Sequence, residues 1–248
     1  MTVTEAAARL AVRPSRVRAL VGSGALEGRR VGSQWVVSAQ DLERREELIG
    51  AGARSRAMSA RTAWAAADLL DGGKASWLTT SERSRLRSRL THRAGAGWQT
   101  YSRWLRSRHT AATRYRIADR DIAELLSTGG VVASGASAAS AHGLGLSAAG
   151  RADVYADATA SARLVDEFFL IRSATGNLVV RTVDGDWHRR TSRDREGRAV
   201  APRLMVAADL LDTDDARSRT AGRDLLDRIL AEHAAGRRRK TTGARAAV

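Results

Sequence analysis

Four carboxylates crowd the end of one apolar run, at Asp209, Asp212, Asp214 and Asp215, and they form the one acidic cluster of the chain. Converging carboxylates can hold the paired divalent cations of a nuclease, but such a centre also calls for a nearby lysine. Lysine occurs only at Lys74 and Lys240. Helix capping and solvation account for the cluster without a metal: Thr213 reads as an N-cap, with Asp214 and Asp215 in the first turn behind it. His142, His188 and His233 are far apart in sequence, and none has a partner at metal-ligand spacing. Gly143-Leu-Gly-Leu does not complete a dinucleotide fingerprint, because the next glycine is Gly150. The chain has no cysteine, which excludes disulfides, thiolate metal sites and cysteine nucleophiles. The expectation is therefore no catalytic residue, no metal and no cofactor.

The other chemistry in the sequence is cationic. The formal net charge is +15 and the pI is near 11.5, which points to a polyanionic partner. Nearly all of that charge is arginine in an alanine-rich chain, a bias that a GC-rich genome would produce. The net charge is physical in either case, whereas no single arginine is thereby marked as a contact.

The first 48 residues organise their cations. Thr4 is expected to cap a helix beginning Glu5-Ala-Ala-Ala-Arg-Leu, and Val12 to be the buried residue of a turn. Pro14 suits the first turn of a second helix, where its missing N–H costs nothing. There Val17, Leu20 and Val21 fall at i, i+3 and i+4 and must pack inward. The opposite face carries Ser15 and Ala19, flanked by Arg16 and Arg18, short and cationic as the floor of a major groove requires. Gly22 and Gly24 end that helix. Leu26-Glu-Gly-Arg-Arg-Val-Gly-Ser-Gln-Trp-Val-Val then reads as two short strands pivoting at Gly32-Ser33, with Arg29 and Arg30 placed for phosphates. Ser38-Ala-Gln-Asp41 opens a third helix with a capping-box arrangement, which Leu42 closes onto the core. The candidate DNA-binding residues are Arg13, Ser15, Arg16, Arg18, Ala19, Arg29, Arg30 and Gln34.

Beyond a small-residue joint at 49–56, residues 57–127 read as a basic helical segment. Ala57–Leu70 is one helix, Thr80 or Ser81 caps the next, and Leu86 and Leu90 lie on its apolar stripe. Between Glu82 and Arg120 there are eleven arginines against two acids, Glu82 and Asp119. Trp98, Tyr101, Trp104 and Leu105 share a helix face, and packing against neighbours explains them better than a platform for single strands. Residues 128–235 read as a small α+β domain. It comprises strands at Val131–Ser134 and Asp153–Ala156, with a helix around Ala136–His142. Phe168–Ile171 and Asn177–Val183 are expected to form a hairpin about Thr175-Gly-Asn. Helices follow over Val200–Leu211 and Ala216–Glu232, and residues 236–248, with Arg237-Arg-Arg-Lys240, read as a disordered basic tail. The fold class expected is α+β and predominantly helical, with the N-terminal winged helix-turn-helix first.

Two resemblances attach to these strings. Thr4-Glu-Ala-Ala-Ala-Arg-Leu-Ala-Val12, Ser15-Arg-Val17, Val31-Gly-Ser-Gln-Trp35 and Asp41-Leu42 resemble the excisionase/MerR-type winged helix-turn-helix, which implies binding to double-stranded DNA. Arg13 stands where such domains usually have a capping serine, and the hairpin tip, Ser33-Gln34, is uncharged. The strings Val131-Val-Ala-Ser-Gly-Ala-Ser-Ala-Ala-Ser-Ala-His-Gly-Leu144, Asp153-Val-Tyr-Ala-Asp157 and Val200-Ala-Pro-Arg-Leu-Met-Val-Ala-Ala-Asp-Leu-Leu211 resemble AbiEi-type antitoxins of type IV toxin–antitoxin systems. That resemblance implies a repressor of its own operon that counters a nucleotidyltransferase-type toxin.

A plain transcriptional regulator, whose C-terminal domain dimerises or senses a ligand, is the alternative reading. A single short reader covers few base pairs, so two copies on one operator are expected. No apolar run approaches a membrane span, and Met1–Gly24 lacks the order of a signal peptide, so a cytoplasmic protein is expected.

Overall fold

A computed structural model describes residues 1–10, 12–22, 26–32, 34–39, 42, 57–195 and 197–245, with side chains up to 236. The chain divides into two compact units, Met1–Ser55 and Arg56–Val248. Residues 57–127, expected as a segment of their own, belong with 128–235 in the second unit. The expected joint at 49–56 lies outside the described residues.

In the first unit, α1 (Val3–Arg9) and α2 (Pro14–Gly22) precede an antiparallel pair, β1 (Gly28–Val31) and β2 (Gln34–Val37). The cap of α1 is Thr2 rather than Thr4. Its hydroxyl accepts from the Glu5 N–H at 3.2 Å while Glu5 Oε2 accepts from the Thr2 N–H at 2.8 Å. Glu5 thus sits three residues past the cap, as a capping box requires. Val3, Ala6, Ala7, Leu10, Val17, Leu20, Val21, Leu26, Val37 and Leu42 form the core, with Val12 and Trp35 packed on it. Of the third helix only residues 38, 39 and 42 are described, and the Leu42 N–H donates to the Ser38 carbonyl at 3.1 Å.

In the second unit a seven-stranded mixed sheet has the order β6-β3-β7-β5-β4-β9-β8. Its strands are β3 (Ala111–Arg116), β4 (Val132–Ala133), β5 (Ala152–Asp157), β6 (Ile171–Arg172), β7 (Leu178–Val183), β8 (Arg193–Arg195) and β9 (Arg198–Val200). The helices are α3 (Ala60–Leu70), α4 (Thr80–His92), α5 (Trp98–Trp104), α6 (Ile122–Ser127), α7 (Ala158–Glu167), α8 (Trp187–Thr191), α9 (Arg203–Leu211) and α10 (Ala216–Arg245). Period-two alternation assigns the two faces of β5. Ala152, Val154 and Ala156 join α6 and α7 in one core. Tyr155 joins α3, α4, α5, α9 and α10 in the other. Tyr101, Trp104 and Leu105 are buried there, as the apolar-face reading of that helix requires.

Several local expectations are corrected. The segments around Thr175-Gly-Asn do not pair with each other, because β3 lies between β6 and β7 and pairs with both. Asn177 explains the change: its side chain accepts from the Ile117 N–H at 3.0 Å and donates to the Ile117 carbonyl at 3.1 Å. Those bonds clasp the turn to the end of β3 instead of closing a hairpin. The helix expected around Ala136–His142 is two short 3₁₀ turns, Gly135–Ala138 and Ser140–His142. Thr79, not Thr80 or Ser81, caps α4 in a second capping box with Glu82. At the head of α10 the Asp215 carboxylate accepts from the Ser218 N–H at 2.8 Å, while Thr213 bonds back to the Leu210 carbonyl. The cap is therefore Asp215. Where a disordered tail was expected from 236, α10 continues to Arg245.

Candidate nucleic-acid interface

The outward face of α2 follows from what its inward face must bury. Val17, Leu20 and Val21 are at most 9% exposed, a burial that contributes about 1.5–3 kcal/mol for each large aliphatic side chain. With that stripe fixed, Ser15, Arg16, Arg18 and Ala19 can only face solvent, and all four are exposed. Arg13 is exposed just ahead of them. Its carbonyl accepts from the Arg16 N–H at 2.9 Å, so the chain turns into α2 there without a side-chain cap from serine.

The hairpin fixes the other three candidates. Its register sets Val31 opposite Gln34, which leaves Gly32 and residue 33 as the turn, with Gly32 at φ +60°. Positive φ is the conformation that a two-residue hairpin turn demands at this point, and glycine reaches it without strain. Arg29, Arg30 and Gln34 are all exposed. Adjacent strand residues point to opposite faces, so the two arginines are not equivalent. Arg30 pairs across with Trp35 and shares the face that packs on the core, whereas Arg29 pairs with Val36 on the other face. The structure therefore brings Ser15, Arg16, Arg18 and Ala19 together on one helix face and divides Arg29 from Arg30.

The C-terminal strings converge in a way that their sequence did not announce. Asp209, read as part of a solvated cluster, is fully buried. Arg108 Nη2 donates to its Oδ1 at 2.6 Å, Tyr155 Oη at 2.8 Å and Arg181 Nε lies 3.1 Å away. The Ser134 hydroxyl donates to Oδ2. Arg181 also donates to Asp153 at 3.0 Å, and Arg108 to Asp212 at 2.5 Å. Burial would push the Asp209 carboxyl upward, but the flanking Arg181 and Arg108 guanidiniums hold it below the usual carboxylate range. The same burial, with Asp209 beside it, drives the Tyr155 phenol up and keeps it a neutral donor.

The geometry gives each motif a physical reason. Ser134 supplies a donor, and Gly135, at φ +49°, leaves room for Asp153, whose Cγ would stand 2.9 Å from any added Cβ. Ser137 Oγ accepts from the Asp153 N–H at 2.9 Å, and Ala138 and Ala139 are fully buried. Sequence reasoning missed Arg108 and Arg181. Arg181 had a signal, since a cation within Leu-Val-Val-Arg-Thr-Val must find an acid once the strand is buried. Arg108 follows α5 among other arginines and had none. Among the described residues, no three histidine or acidic side chains are grouped to hold a metal ion, and no helix is long and apolar enough to cross a membrane.

Comparison with known proteins agrees with this division. A helix-turn-helix domain family matches residues 1–47. A family described as transcriptional regulator, AbiEi antitoxin, type IV toxin–antitoxin system, matches residues 98–231. That match starts at α5 and so takes in Arg108 and β3, ahead of the expected boundary at 128. Neither the curated proteins nor the solved structures returned a match. With over half of its length matched, and with the three antitoxin strings meeting at Asp209, the chain belongs to the AbiEi antitoxin family of DNA-binding transcriptional regulators of type IV toxin–antitoxin systems.

Proposed function

We propose that the first unit reads an operator as a winged helix-turn-helix and that the chain thereby represses its own operon. The exposed face Ser15, Arg16, Arg18 and Ala19, opposite the buried Val17, Leu20 and Val21, carries this reading. Arg16 and Arg18 reach base edges in the major groove, where forked donors match guanine. Arg13, Arg29, Arg30 and Gln34 contact the phosphate backbone and fix the register. Two copies bind one operator, because one recognition helix covers too few base pairs for useful specificity. The second unit counters a nucleotidyltransferase-type toxin, as the family resemblance implies, in the cytoplasm where both would act.

Fluorescence anisotropy on DNA from upstream of the chain's own gene tests the reader, with Arg16→Ala and Arg18→Ala against unrelated DNA of equal length. Selective loss on the cognate DNA supports base contact by α2. Equal loss on both removes the recognition-helix assignment. For the antitoxin half, the neighbouring reading frame is expressed alone and with this chain. Growth arrest relieved by co-expression is expected, and a harmless neighbour defeats the proposal.

A further inference from the structure

The buried face of α5 is committed to the core through Tyr101, Trp104 and Leu105. Its other face lines a cavity of about 320 Å³ together with the residues that follow it and the end of α9. That volume is at the small end of ligand pockets and suits a mononucleotide. Trp98 and Ser102 stand one turn apart on this face, and Gln99, Arg103 and Arg106 form a second row, so the spacing of one helix sets both an indole and a pair of guanidiniums into one wall.

The charge in the cavity is lopsided. Asp212 is its one carboxylate, and the buried Arg108 already donates to it at 2.5 Å. Arg103 and Arg106 are left as cations facing a space whose only acid is spoken for. His109 adds a neutral imidazole, since burial and then the neighbouring Arg108 lower its pKa to about 4. Two donors among the lining residues, Ser102 Oγ and Arg103 Nη1, are buried without a hydrogen-bond partner. An unmet guanidinium donor is costly, and a bound anion is the ordinary remedy. Trp98 is half-buried and is held by the Arg223 guanidinium, 4.8 Å from its ring centroid, so it presents a fixed apolar wall.

We propose that this cavity binds a nucleoside phosphate, with the phosphate between Arg103 and Arg106, the base against Trp98, and Gln99 at the base edge. Arginine pairs on phosphate give forked, charge-assisted hydrogen bonds, and an indole beside an amide is suited to a base. The site is independent of the operator and of any toxin.

Isothermal titration of the full chain with ATP, GTP, CTP and UTP tests it, with inorganic tripolyphosphate as the probe for charge alone. At least one nucleotide is expected to saturate a single site, about tenfold or more tighter than tripolyphosphate. Arg106→Ala, at an exposed side chain, should weaken that nucleotide about tenfold or more. Trp98→Leu should remove the advantage over tripolyphosphate, with an unchanged melting curve showing that the fold survives. Arg29→Ala, in the other unit, should change nothing. Absence of saturable binding by all four nucleotides overturns the proposal. So does tripolyphosphate binding as tightly as every nucleotide, or nucleotide binding that Arg103→Ala and Arg106→Ala both leave intact.

Discussion

The two units use the same residue in opposite ways. In the first, Arg13, Arg16, Arg18, Arg29 and Arg30 are all exposed, and among the described residues none forms an ion pair. In the second, Arg108 and Arg181 are 1% and 5% exposed and are locked to Asp209, Asp153 and Asp212. An exposed guanidinium keeps its donors for a partner that arrives later. A buried one has spent its donors on the fold, and its removal exposes the acids it was neutralising. The basic balance of the chain is therefore two populations, and burial rather than sequence density separates them.

The largest effect should come from the buried population. Asp209→Ala leaves two buried guanidiniums, a phenol and a hydroxyl without their common acceptor, and about 3–5 kcal/mol of stability should go with it. Urea denaturation of the full chain measures this. A loss under about 1 kcal/mol would put the cluster among ordinary surface pairs and dissolve the contrast. The double variant Arg108→Met with Asp209→Leu sharpens it: removing both charges should cost much less than removing one, because no unpaired charge remains inside.

Next in size is the reader. Arg16→Ala or Arg18→Ala should lose about 1–3 kcal/mol of discrimination between cognate and unrelated DNA. Unfolding should move by no more than about 0.5 kcal/mol, since these side chains support no packing. A large fall in stability with unchanged discrimination would reverse the assignment of the two populations. Arg29→Ala and Arg30→Ala should instead weaken all DNA, each reducing the salt slope by about 1. Because the hairpin register turns them to opposite faces, their losses should be unequal, and the greater one identifies the face toward DNA. Anisotropy titrations across a salt series read both quantities, and equal losses would mean that neither face is favoured.

How much of this was legible depended on whether the signal was local. The inward stripe Val17, Leu20 and Val21, the turn at Gly32 and the strand over Asp153–Ala156 come from periodicity and turn chemistry, and each stands where that chemistry puts it. The caps were displaced because the acid was placed at the helix start. In both Thr2-x-x-Glu5 and Thr79-x-x-Glu82 it belongs three residues past the cap. Strand order was not local: nothing near Thr175 says that β3, some sixty residues earlier, slides between its neighbours, as the Ile117 to Asn177 separation shows. The same holds for Asp209, whose partners Arg108 and Arg181 are fixed by sheet order and by α9 rather than by spacing. Its three neighbouring acids made it look like surface.

A third kind of arginine lies between these extremes and gives the smallest effect. Arg61, in α3, donates to both carboxylate oxygens of Glu82, in α4, at 2.8 and 3.1 Å, with both side chains about a third exposed. Glu82 also accepts from the Thr79 N–H at 2.8 Å, so one carboxylate both caps a helix and ties two helices together. The Arg61 hydrogen bond first, and then the Thr79 backbone, lower its pKa to about 2 from an ordinary 4.5. A lowered carboxyl contributes stability above its unfolded value and loses it as pH falls through the folded one, so the window runs from 4.5 down to about 2. Urea midpoints at about pH 5 and about pH 3 should therefore fall less in Glu82→Gln than in the parent chain, whose acid slope carries this carboxylate. Salt should narrow the gap, because a half-exposed pair is screened where the Arg108–Asp209 pair is not. An unchanged acid slope in Glu82→Gln would show that Arg61 behaves as the exposed arginines do, and that only two populations exist.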